Sequence, residues 1–129
     1  MAQGFPSSAG DVLSAAMFNG LVTFTVGAAN TDDYTATLSD QYQVLELMNK
    51  GTAVAFKIPT NASVAFPIGT AITVLNIGAG VCTISAVTSG TTTVLSAGAV
   101  AAQPTLGQYK SAVCIKTGTD AWYVVGAIA

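Results

Sequence analysis

The sequence predicts an all-β fold, a compact antiparallel sandwich or barrel of short strands with an extended N-terminal arm and one short helix. Three observations predict it. From Leu21 onwards apolar and polar residues alternate with a period of two, the pattern of half-buried strands. About nine such runs recur at spacings of roughly 8–12 residues with Gly, Pro or Asn between them, as in sandwiches and barrels. No connection has room for a helical crossover, which sets aside parallel βαβ units.

Residues 1–20 read as an attachment segment and 21–129 as the β-domain. Residues 1–9 carry Gly4, Pro6 and two serines without periodicity, so they form an extended arm. Gly10 to Gly20 is the one helical candidate. Ser8 with Asp11 makes a capping box, or Ser14 caps a shorter helix, and Gly20 suits the position after its end. A helix this short must dock on something to persist.

Leu21–Val26 then places Val22, Phe24 and Val26 on one face of a strand, and 27–33 is a loop. Strands follow at Tyr34–Leu38, Tyr42–Met48, Thr52–Ile58, Thr70–Ile77, Val81–Val87 and Thr91–Leu95. The stretch 98–107 is an Ala-rich loop with Pro104, and the chain closes with strands Tyr109–Lys116 and Ala121–Ile128 around a Thr117–Asp120 turn.

Composition bounds the chemistry. At 129 residues the chain is one domain. It carries four Lys+Arg, all of them Lys, against six Asp+Glu, where an average chain of this length has about 32 charges. Without His there is no imidazole base, nucleophile pair or histidine metal site. Without Arg there is no bidentate anion clamp. A net charge of −2 does not suit a phosphate backbone, so no nucleic-acid partner is expected. No apolar run approaches the ~18–20 residues that span a bilayer, so no membrane partner is expected either. Met1-Ala-Gln-Gly-Phe-Pro6 lacks the charge and apolar pattern of a signal peptide, which leads us to expect assembly in the cytoplasm.

Candidate sites are few. Cys82 and Cys114 sit in strand patterns and read as buried, reduced hydrophobes. Gly78-Ala-Gly80-Val-Cys-Thr83 lacks the third glycine of a dinucleotide loop and reads as a hairpin turn. Asn30, Asp32 and Asp33 offer oxygen ligands for Ca²⁺ within four residues, but a solvated turn explains them as well. Asn61-Ala-Ser63 matches a glycosylation acceptor and reads as an ordinary turn. Tyr109, Trp122 and Tyr123 could stack on a sugar; because Trp122 and Tyr123 alternate, only one of them faces a given surface, and packing is the preferred reading. No catalytic residue, cofactor or metal is expected. With so few charges, the strand faces must carry small polar residues or be covered by another subunit, which points to an obligate homo-oligomer.

The segment Gly10-Asp11-x-Leu13-Ser14-Ala15-Ala16-x-x-Asn19 resembles the N-terminal attachment segment of tailed-phage virion proteins. Residues 40–126 resemble a β-module of phage tail fibres and small capsid-surface proteins. The matching residues are Val44–Asn49, Phe56-Lys-Ile-Pro59, Phe66-Pro67-Ile68-Gly69-Thr70, Gly78-Ala-Gly80, Gly107-Gln-Tyr109 and Asp120-x-Trp122-x-x-x-Gly126. The resemblance implies a virion component, usually trimeric. On it we expect a capsid decoration (cement) protein on the outside of the head, contacting the major capsid protein or other virion proteins. Phe5, Pro6, Leu13, Met17 and Phe18 are the expected contact residues. The alternative is a tail-fibre or tail-tip module for host-glycan attachment or tail assembly. A cellular lectin or enzyme is the least favoured reading.

Overall fold

The computed structural model describes residues 25–42, 44–97 and 103–128. The described chain is all-β, in two sheets, with one 3-10 turn at Leu38–Gln41 and no α-helix. Its strands are β1 Thr25–Asn30, β2 Tyr34–Thr35, β3 Val44–Met48, β4 Val54–Ile58, β5 Ala71–Asn76, β6 Cys82–Ala86, β7 Thr93–Ser96, β8 Thr105–Leu106, β9 Lys110–Gly118 and β10 Ala121–Gly126. One sheet has the order β1-β3-β5-β9-β10-β7, the other β2-β4-β6-β8. The arm and the helix expected before Leu21 lie outside the described residues.

The antiparallel expectation is corrected. Among the described residues five of eight strand pairings are parallel, β1–β3, β3–β5, β2–β4, β4–β6 and β7–β10. Parallel neighbours normally need a helix to carry the chain back. Here a strand of the opposite sheet does that work. The first six strands alternate between sheets, so β1–β2, β3–β4 and β5–β6 are three stacked coils. Leu45 lies beside Thr73 and Val54 beside Cys82, so both strands of the second coil meet the third with the same offset. The chain then reverses: β9 pairs antiparallel with β5 and β10, and β8 antiparallel with β6.

Several boundaries move for the same reason. β1, Thr25–Asn30, overlaps the end of the expected Leu21–Val26 strand and runs on through residues 27–30, where a loop was expected, because parallel backbone pairing to β3 holds it without strict alternation. Tyr34–Leu38 shortens to two strand residues: the Asp40 carboxylate accepts the Thr37 N–H at 2.8 Å and turns the chain into the 3-10 element. β8 arises within the stretch read as a loop, where Thr105 and Leu106 pair with β6.

The inner faces of the sheets form one core. Met48, Ile72, Val74, Cys114, Trp122 and Val124 project from the larger sheet. Val54, Phe56, Ile58, Cys82, Ile84 and Leu106 meet them from the smaller. Phe66, from the β4–β5 connection, packs edge-on against Trp122 with ring centroids 5.5 Å apart. Such a pair adds about 0.5–1.5 kcal/mol to the area it buries.

The arches joining the sheets stack main chain on main chain. Gly78 N–H donates to Met48 O, and Gly80 N–H to Lys50 O at 2.8 Å. Gly78-Ala-Gly80 is therefore an arch from one sheet to the other, not a hairpin. A Cβ on Gly80 would run into the backbone of Thr52, and one on Gly78 into that of Lys50. Gly51 has open space around its Cα. We therefore expect Gly80→Ala to cost about 2 kcal/mol or more and Gly51→Ala far less. Thermal unfolding of the two variants checks this; equal midpoints would contradict the stacking.

Candidate assembly surface

Alternation along each strand makes the outer face of each sheet as specific as the core. On the six-stranded sheet one row runs Leu45, Thr73, Val113, Val125 across β3, β5, β9 and β10. The next runs Ala71, Ile115, Tyr123, Leu95 across β5, β9, β10 and β7. Leu47, Leu75 and Ser111 form a third, and Val26 extends the face at β1. Val26, Tyr123 and Val125 are 63%, 46% and 51% exposed. Among the described residues no outward position of this sheet carries a charge. The four-stranded sheet shows the opposite chemistry: Thr35, Ala55, Lys57, Thr83, Ser85 and Thr105 face outwards.

The charges have gone elsewhere. Asp32 pairs with Lys50 at 3.0 Å and Asp33 with Lys57 at 3.3 Å, both on the first arches or the smaller sheet. Asp33 also accepts the Ala55 N–H, which with Lys57 holds its carboxyl below the usual carboxylate range. Asn30 turns instead to Glu46 and the Leu47 carbonyl. The three residues considered for Ca²⁺ are thus each engaged with a different partner.

Lys116 points inwards and is 2% exposed. Its ammonium donates to Asn61 Oδ1 at 2.6 Å and to the Phe66 carbonyl at 2.7 Å. Burial lowers its pKa and the nearby Asp120 opposes that shift. Asp120 accepts the Asn61 N–H at 2.8 Å and the Thr92 hydroxyl at 3.2 Å. The network ties the β4–β5 connection to the β9–β10 turn and satisfies polar groups that would be costly to bury alone. Asn61, read as a turn residue, is also the acceptor for this lysine. Asn76 does similar work at the third arch: its amide donates to Gly80 O and Leu106 O and accepts the Gly78 N–H.

A second buried cluster joins the first coil to the second. The Tyr34 hydroxyl donates to Asp40 Oδ2 at 2.8 Å, and the Asn30 amide to Glu46 Oε1 at 3.1 Å. Asp40 and Glu46 are 2% and 5% exposed. Burial pushes the Glu46 carboxyl up to about 7, and Asp40 beside it pushes the same way while the Asn30 amide opposes.

Cys82 and Cys114 are buried and unbridged, and burial raises their thiols to about 11 and about 12. Both stay protonated near neutrality and are poor nucleophiles. Trp122 faces the core while Tyr123 and Tyr109 are exposed, so the alternation separates them. A depression of about 150 Å³ beside Ala86, Thr92, Val94 and Gln103 is lined, among the described residues, by no titratable side chain. Phe5, Pro6, Leu13, Met17 and Phe18 lie outside the described residues. Sequence reading found neither the Lys116 network nor the Glu46 cluster; the signal available was the charge placed at core-facing positions of alternating strands. No protein-family model, curated protein or solved structure matches the chain.

The Glu46 shift fixes a pH dependence. Its folded-state pKa lies above the ordinary 4.5, so the fold favours the protonated acid. That contribution is full below about 4.5 and is lost as pH rises through about 7. We expect the chain to lose about 1–2 kcal/mol between pH 5 and pH 8, allowing for solvent screening, and Glu46→Gln to flatten the profile. Urea unfolding across that range is the measurement; an unchanged slope in Glu46→Gln would contradict it.

Proposed function

We propose that the chain is a structural subunit of a tailed-phage particle that works by assembly rather than catalysis. The observation that carries this reading is the contrast between its two outer sheet faces. One is polar and suited to solvent; the other is apolar and uncharged across six strands, and a face of that kind is used by being covered. Buried, hydrogen-bonded charges and inert thiols fit a scaffold. The virion assignment is supported by the phage-like residue patterns of 10–19 and 40–126.

Within that reading the subunit is a homotrimer that decorates the outside of the head, contacting the major capsid protein through residues 1–20. A tail-fibre or tail-tip role is the second reading. Tyr42 and Tyr109, 70% and 74% exposed, favour it as stacking surfaces for a host glycan.

Two measurements test the proposal. Mass photometry of the full chain should give three times the 12.9 kDa subunit mass. Gold-labelled antibody on purified particles should mark the head. Label confined to the tail, with retention on a glycan array, would favour the second reading. Absence from particles would overturn both. Removing residues 1–9 should leave a folded oligomer that no longer joins particles, and unimpaired incorporation would overturn the attachment role of the arm.

A further inference from the structure

We propose that the outer face of the six-stranded sheet is covered by the same face of neighbouring copies of this chain, with Tyr123 and Val125 of β10 inside the contact. The inference rests on the assembly reading above and names its surface and partner.

Three observations lead to it. The first is size. Six strands at about 4.8 Å spacing and five to six residues at about 3.3 Å give a face of roughly 500 Å² in projection. Its relief raises the accessible area towards the ~800 Å² per partner of a standard stable interface. The second is chemistry. With no charge among its described outward positions, the face has nothing with which to steer or select a charged partner. The surface that matches it on the page is itself. The third is texture. Large side chains such as Leu45, Ile115 and Tyr123 share the face with Ala71, Thr73 and Ser111, at register positions given by the pairings. Sheets pack about 10 Å apart when large residues of one fill the space over small residues of the other. The four-stranded sheet, with Lys57 and a Thr/Ser surface, lacks these properties, so it stays in solvent.

The test uses the full chain carrying Tyr123→Asp and Val125→Asp together, with Thr83→Asp on the other sheet as control. Sedimentation velocity across nanomolar to micromolar concentrations reads the association. We expect the wild type and the control to associate alike. We expect the double variant to dissociate at least about a hundredfold more readily, since desolvating an unpaired carboxylate opposes the contact. Circular dichroism and Trp122 emission establish that the variant is folded.

Should it fail to fold, a milder pair decides. Thr73→Cys on the apolar face is expected to cross-link copies under mild oxidation, and Thr83→Cys is not. A monomeric wild type overturns the inference, and means that another segment such as residues 1–24, or another protein, covers the face. So does an oligomer indifferent to both aspartates, which places the contact elsewhere. Neither result alters the particle-labelling outcome, so the surface and the virion reading fail separately.

Discussion

The structure depends on main-chain stacking at the arches. The second and third coils each cross from one sheet to the other through a turn whose N–H groups reach the strand end or turn of the coil before it. Gly80 N–H donating to Lys50 O is the tightest case, because the space above Thr52 has no room for a side chain. Once the arches are in register, β3 must lie beside β5 and β4 beside β6 with one common offset. Alternation then decides which residues meet in the core and which meet on each outer face. The apolar outer face of the six-stranded sheet thus follows from the register that the arches set.

Buried polar groups secure the return from the smaller sheet to the larger. The β4–β5 connection carries the chain from the second coil to the third, and there the Lys116 ammonium holds Asn61 and Phe66 while Asp120 holds Asn61 and Thr92. Gly126 closes the last strand with a φ of 139°, against the backbone of Ser111 and Ala112, a position a side chain would not fit. The Phe66-Pro-x-Gly-Thr70 and Trp122-x-x-x-Gly126 patterns meet here, through the Phe66–Trp122 contact and the Gly69 N–H donated to Lys116 O. Their spacing follows from packing.

Much of this was legible beforehand. The period of two located β3, β4, β5, β6, β9 and β10, because each has one face in a dry core and one outside. It also separated Trp122 from Tyr123. The direction of pairing was not legible: alternation is the same in parallel and antiparallel strands, and a short connection looks like a hairpin whether it returns in the same sheet or crosses to the other. The part of β1 beyond Val26 and all of β8 were missed because backbone pairing holds them, with weak side-chain patterns of their own. Lys116 and Glu46 were missed because a charged residue at an inward position looks like a break in the pattern until its partners, 55 residues away for Asn61 and Lys116, are brought together. The sparse charge led us to expect a covered surface, and the register adds that the uncharged outer face belongs to one sheet alone.

The coils also differ in how they are tied. β5 lies between β3 and β9, whereas β1 and β2 have a strand partner on one side only among the described residues. The first coil therefore shares its hydrogen bonds with a single neighbour, and its polar contacts, through Asn30 and Tyr34, converge on Glu46 and Asp40. Freeing this coil hydrates the carboxyl pair and returns Glu46 to its ordinary range, so that near neutral pH local opening and proton release are one process.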